Sequence, residues 1–425
     1  MALGDRFPMK GRKRAMSTMS TKIIGLLCCM MACAAQALTS TNETTNNSQS
    51  VAAANTTFGF NLLAQLAANN TGSGNIFISP YSASTALQMV SAGAAGTTQK
   101  QMQQVLGTSG LPQASLNDGV QKIAAIINSK NTNFTLITAN ALWYQNGISI
   151  NTNFIEGNQN FFGASVEAID FYNSTSAHTI NSWASNETQG NITNVVSYPF
   201  DPVPSLLLAN AVYFKGSWQT PFATNLTVPA TFHLKGGQAT VPMMNQSGTF
   251  FYCATNGYQA IQLPYQGGDL TMDIFLPNTN SSISALLKTL QNMGWQKASQ
   301  NGFSEQQGSL SLPKFNLNYS VNLIPSLKAL GMTNAFSRTP GVADFSNISV
   351  INQLYISSVN QQAIIKVDEV GTEAAAVTTI GLASAAIAAP SVAPFSMIVN
   401  RPFVFFIEDQ QTKTILFMGM VFNPS

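Results

Sequence analysis

Residues Asp368–Pro394 read DEVGTEAAAVTTIGLASAAIAAPSVAP. An acidic pair and a glycine, Asp368-Glu369-Val370-Gly371, lead into Thr372, Glu373, Ala374, Ala375, Ala376, Val377, Thr378 and Thr379. From Gly371 to Ala389 there is no proline and one charge, Glu373, whereas surface loops are punctuated by Pro, Asn and Asp, which fix turns. Laid out as a strand, the segment puts Thr372, Ala374, Ala376 and Thr378 on one face and Glu373, Ala375 and Val377 on the other. The first face is small and uncharged, so it can enter the middle of an existing sheet at little steric or desolvation cost. On composition alone the stretch also fits a low-complexity Ala/Ser/Thr linker. The rest of the chain decides between the two.

The length of 425 residues is compatible with two or three domains or one large one, and no internal repeat or second domain is visible. Residues 1–37 read as a secretory signal: a basic region from Lys10 to Lys22, the apolar run Ile23–Met31, then small residues ending Ala35-Gln36-Ala37. The run is too short to span a bilayer comfortably, no later segment looks transmembrane, and a lipid-modified Cys33 lacks a leucine three residues before it. Translation starts at Met1, Met9, Met16 or Met19. The signal would remove Cys28, Cys29 and Cys33 and leave Cys253 alone, so the mature chain has no internal disulfide and stands on core packing. It also takes with it Asp5 and six of the 19 basic residues, which leaves the remainder at −3. That balance argues against nucleic acid or an anionic membrane as a partner. The expected location is outside the cytoplasm, extracellular or in a bacterial periplasm.

Residues 38–50 are Thr-, Asn- and Ser-rich and read as a flexible tail; residues 51–425 read as one domain. Phe58, Leu62 and Leu66 mark a first amphipathic helix. Ser79 caps a second, with Pro80 at its first position, and Thr97 is placed to cap a third that carries Met102, Val105 and Leu106. Val120, Ile123 and Ile127 mark a further helix. Phe134–Tyr144 is strand-like, and Leu206–Trp218 is apolar on both faces, as a central strand requires, with Asn210 as its interruption. Gln259–Pro277 reads as a hairpin turning at Gly267-Gly268, and Leu323, Leu327 and Leu330 share a helix face ended by Gly331. Leu354–Val367 is the strand that feeds the loop.

These blocks resemble the serpin family. Glu369-Val370-Gly371-Thr372-Glu373-Ala374-Ala375-Ala376-Val377-Thr378 is similar to the reactive-loop hinge of its inhibitory members. Ser79-Pro80-Tyr81-Ser82, Ile180–Ile192, Leu206–Trp218, Leu312-Pro313-Lys314-Phe315, Asn400-Arg401-Pro402-Phe403 and Ile415–Val421 resemble further family blocks, which together run from about Val51 to Ser425. The resemblance implies an α+β serpin fold: three β-sheets, eight or nine helices, a helix (Ile180–Ile192) lying across the large sheet, and an exposed loop at about 371–394. It also implies a suicide-substrate mechanism against a serine protease. The cut loop would insert between the strands near Phe134–Tyr144 and Leu354–Val367. Ser79, Ser82, Asn210 and Gln361 would form a polar cluster where the sheet opens. Many serpins have a histidine where this chain has Gln361, which hydrogen-bonds but does not titrate.

Family counting puts the scissile residue sixteen beyond Glu369, giving Ala385-Ala386, although the segment from there to Arg401 is longer than is common and leaves Leu382 and Ile387 as alternatives. Ala there suits elastase-like or subtilisin-like proteases, and Leu or Ile would shift preference toward chymotrypsin-like ones. The absence of Lys and Arg between Gly371 and Pro394 argues against trypsin-like targets. A non-inhibitory carrier or folding helper would show bulky, charged or proline residues in the hinge. Inhibition of papain-like cysteine proteases leaves no distinct mark. Enzyme classes find no footing: there is no nucleophile elbow, Walker loop, dinucleotide fingerprint or zinc spacing, and His178 and His233 read as lone surface histidines. No catalytic residue, cofactor or metal is expected. Lys100, Lys122 and Lys130 are too scattered for a heparin site, and a monomer is expected. Asn-x-Ser/Thr triplets such as Asn173, Asn186, Asn191 and Asn225 matter only in a glycosylating host.

Overall fold

The computed structural model describes residues 47–425 apart from 71–73, 130–133, 202, 301, 351–352 and 373–392. In chain order the elements are α1 (residues 47–69), β1 (Ile76–Ile78), α2 (Pro80–Ser91), α3 (Gly96–Val105), α4 (Gln113–Ser129), β2 (Phe134–Gln145), α5 (Thr152–Phe162), β3 (Ser165–Ile169), α6 (Ser176–Glu187) and β4 (Leu206–Ser217). Next come β5 (Val228–Leu234), β6 (Gly237–Ala254), β7 (Tyr258–Pro264), β8 (Leu270–Pro277), α7 (Ile283–Met293), α8 (Trp295–Ala298), β9 (Ser304–Pro313), β10 (Phe315–Asn322) and α9 (Ile324–Ala329). The chain closes with β11 (Ile356–Val367), β12 (Gly371–Thr372), β13 (Phe395–Ile398), β14 (Phe403–Asp409) and β15 (Ile415–Val421).

Hydrogen bonding joins the described strands into two sheets. One has six strands in the order β10-β11-β12-β4-β2-β3, and the other has nine. The nine strands account for the second and third sheets of the expectation, because β6 is 18 residues long and pairs with β5 over its first part and with β9 and β7 further on. Between the two sheets lie Leu136, Val212 and Phe214 on one side and Met272, Ile274, Phe405 and Phe417 on the other, all in one apolar cluster. All twelve residues of α2 are buried. On the outer face of the six-stranded sheet, Ile180 and Ala184 of α6 pack over Ala139, Ala141, Leu207, Ala209 and Ala211, so α6 lies across β2 and β4. Side chains of β4 alternate between the apolar interior on one face and this outer cluster on the other, which is why no polar pattern shows along it.

Several local expectations hold. Ser79 Oγ accepts from Ser82 N with Pro80 at the helix start, and β7 and β8 form the expected hairpin with Gly267 and Gly268 at positive φ. Others are corrected. Residues 47–50, expected within the flexible tail, are helical, and 38–46 lie outside the described residues. Thr97 does not cap α3: the N-cap is Ala95 without a side-chain bond, and Gly96 at φ +56 makes the turn. The strand beside β11 is β4 and not β2. Ile356–Ile364 runs parallel to Leu206–Tyr213, while β2 pairs with the other edge of β4. Phe134–Tyr144 therefore does not adjoin Leu354–Val367, contrary to the expectation.

Candidate functional site

Strands β4 and β11 are paired directly for most of their length and separate at one end, where Gly371 and Thr372 lie between them. Gly371 pairs with Ser217 and Thr372 with Gly216 on β4, and Thr372 pairs with Val367 on β11, all antiparallel. The approach requires glycine: a Cβ on Gly371 would stand 2.1 Å from the Gly216 carbonyl oxygen. The residues before this short strand are fastened one by one. Trp218 Nε1 donates to the Asp368 carbonyl (3.0 Å), Trp218 N to Val370 (2.9 Å) and Phe222 N to Glu369 (2.8 Å). The Glu369 carboxylate takes Lys314 Nζ at 2.7 Å and Thr227 Oγ1 at 2.8 Å. Burial pushes this carboxyl up, but the Lys314 ammonium, a backbone bond and Thr227 outweigh burial and hold it below the ordinary glutamate range. Thr372 is fully buried, its hydroxyl 2.8 Å from Tyr265 Oη.

Further along the pair, Gln361 and Asn210 face each other in register, and Asn140 faces Asn210 from β2. Gln361 Nε2 donates to Asn210 Oδ1 (2.7 Å) and to the Ser79 carbonyl (3.0 Å), while Gln361 Oε1 accepts from Ser79 N (3.0 Å). Asn210 Nδ2 donates to Ser82 Oγ and to Asn140 Oδ1, the latter at 2.7 Å. The structure thus brings together Ser79, Ser82, Asn210 and Gln361, drawn from α2 with its cap, β4 and β11, and all four are buried. Buried amides need partners, and here they find one another across the seam between two strands. The cluster ties β4 to β11 and both to α2 without a titratable group.

Of the other residues singled out from sequence, Glu369, Gly371 and Thr372 lie at this seam. Glu373, Ala374, Ala375, Ala376, Thr378 and the Ala385-Ala386 bond lie outside the described residues. His178 and His233 are exposed. Sequence reasoning missed Asn140, Tyr265 and the pairing of Lys314 with Glu369. Asn140 carried a signal, since it is an amide in an otherwise apolar stretch, as Asn210 is. Tyr265 lies two residues before the glycines of the hairpin turn, where nothing local signals a buried partner. Beyond the loop, Phe395 opens β13, its ring stacked on Tyr252 at 3.9 Å, in space left by Gly308.

The profile of the family described as serpin (serine protease inhibitor) matches residues 53–424. The chain is 34% identical to Iripin-8 of Ixodes ricinus over 94% of this chain and 99% of that one. It is 34% identical to the leukocyte elastase inhibitor of Bos taurus over 88% of this chain and all of that one. Among solved structures, native protease nexin-1 with heparin superposes with a TM-score of 0.78 at 30% identity, covering 89% of this chain and all of that one. The chain belongs to the serpin family, whose members inhibit proteases and are not enzymes.

Proposed function

We propose that this serpin is an inhibitory one, a suicide substrate for an extracellular serine protease of elastase-like or subtilisin-like preference. The observation that carries the reading is the position of Gly371 and Thr372, already paired as a strand between β4 and β11 at the open end of a seam. The target's serine Oγ attacks the carbonyl of the scissile residue, the amine of the next residue leaves with a proton, and an ester joins the two proteins. The freed strand then extends the pairing that Thr372 has begun. At the same register on both neighbours, residue 378 comes level with Asn210 and with Gln361, so the Thr378 hydroxyl meets the amides whose bond across the seam has to part. The same register turns Ala374, Ala376 and Thr378 to the face that Thr372 presents to the core, and Glu373 to the other. Loop insertion of this kind is an instance of strand addition. The leader at 1–37 supports export.

The test mixes the mature protein separately with pancreatic-type elastase, subtilisin and trypsin and follows the products by denaturing gels and mass spectrometry. The expected result is a denaturant-resistant complex with elastase or subtilisin, a released peptide beginning at Ala386, and none with trypsin. Thr372→Arg and Ala376→Pro are expected to convert the protein to a substrate; an unchanged stoichiometry of inhibition in both would sink the mechanism.

A further inference from the structure

The insertion reading leaves open how a strand of two residues keeps its register. Two residues make few ladder bonds, and a slip of one would turn Glu373 toward the core and the small face outward. A side chain on the opposite sheet supplies the missing constraint. Tyr265, just past the end of β7, is fully buried, its ring stacked on Trp218 at 4.7 Å and set edge-on to Phe214 at 5.1 Å. Its backbone is pinned to the same corner: Gln266 N donates to the Ser217 carbonyl (2.8 Å) and Gln219 N to Pro264 (2.9 Å). Gly216 makes room for the ring, since a Cβ there would lie 2.9 Å from Tyr265 Cδ1. The phenol oxygen reaches Thr372 Oγ1 at 2.8 Å. Burial pushes the phenol's pKa up, and the Thr372 bond lowers it only in part, so the group is a neutral hydroxyl at physiological pH.

We propose that Tyr265 is a positioning residue for strand insertion, its hydroxyl holding Thr372 in the first place of the slot and so fixing the register in which the following residues enter. The proposal rests on the inhibitory reading above. A loosened Thr372 delays the entering strand while hydrolysis of the acyl-enzyme continues, so the partition moves toward cleaved, uncomplexed protein.

The experiment compares wild type, Tyr265→Phe, Thr372→Val and the double variant in two readouts, the stoichiometry of inhibition and hydrogen exchange of the backbone amides at Gly371 and Thr372. Tyr265→Phe keeps the stacked ring and strands the Thr372 hydroxyl, so it is expected to raise the stoichiometry about fivefold and to speed exchange at these amides. The double variant removes both polar partners and keeps their shapes, and is expected to recover most of the loss. An unchanged stoichiometry and exchange in Tyr265→Phe overturns the proposal, as does a defect that Thr372→Val leaves undiminished, because the Tyr265 hydroxyl would then act through a partner other than Thr372. If wild type forms no complex with any protease, the inhibitory reading fails by itself; faster exchange in Tyr265→Phe would still support the docking of Thr372, and unchanged exchange would overturn that too.

Discussion

Two buried acids give this protein opposite responses to pH. Glu369 is held below the ordinary carboxyl range by Lys314 and Thr227 against the effect of burial. Its contribution is complete above the unfolded glutamate value, about 4.3, and is lost as pH falls through the lower folded value. Glu369→Gln should therefore cost about 1–2 kcal/mol at neutral pH and progressively less as pH falls below 4, as read from denaturant midpoints over a series from pH 7 downward. Asp273 on β8 behaves the other way. It is fully buried, and neither carboxyl oxygen makes a hydrogen bond of good geometry among the described residues, although the Gln262 side chain lies near enough to favour its charged form. Burial and the charge of Glu408 raise its pKa well above the aspartate norm, with Gln262 and Lys413 opposing. Burial raises Glu408 as well, though Trp295 Nε1 donates to it at 2.6 Å. Below the unfolded aspartate value, about 3.9, Asp273 is protonated in both folded and unfolded chains and its burial carries no ionisation penalty. As pH rises the unfolded chain ionises first, so stability falls. Asp273→Leu is expected to gain about 1–3 kcal/mol at pH 8 and much less at pH 4; equal gains at both would refute the assignment of a buried neutral acid.

At the scale of elements, the sequence made the individual strands and helices legible and left their adjacency obscure. Ser79-Pro80 predicts α2, the double glycine predicts the β7–β8 hairpin, and the alternation of Thr372 with Glu373 predicts which face turns inward; all rest on local chemistry. That β4 and not β2 borders β11 could not be read locally, because β2 and β4 are both long and apolar and their order is set by packing between distant segments. For the same reason the cluster residues were found through the resemblance, while Asn140, which joins them only through its register with Asn210, was not. The tightest contact among these elements belongs to β12. A Cβ at Gly371 meets the backbone of Gly216 at 2.1 Å and Ser217 Cα at 2.6 Å, and no rotamer change relieves a clash with main chain. Gly371→Ala should expel β12 from the seam at a cost of about 1–3 kcal/mol. Faster hydrogen exchange at Thr372, with α6 and the β7–β8 hairpin unaffected, is the signature to look for.

For the whole molecule, the arrangement of the six-stranded sheet is the argument for metastability. Its centre is a parallel contact between β4 and β11, flanked by antiparallel pairs β4–β2 and β11–β10, and parallel pairing is the weaker kind. An inserted strand would replace that one contact by two antiparallel ones. Extending the register of Gly371 and Thr372, ten more residues reach the level of Leu206 at the far end of β4. While the loop is intact the chain must also return to Phe395 on the other sheet; a cut removes that link. A metalloprotease tests this apart from inhibition, because it cleaves through an activated water and leaves no acyl-enzyme to trap. For a domain this large each kcal/mol moves the thermal midpoint by about 2 °C, so a gain of at least about 5 kcal/mol on insertion should appear as a rise of about 10 °C or more in the cut protein. Ala376→Pro, which removes a ladder donor in mid-strand, should be cut as readily and gain far less. If cut and intact wild type melt together, the seam does not open for the loop, and the arrangement of Gly371 and Thr372 is an anchor only, as a non-inhibitory carrier would need.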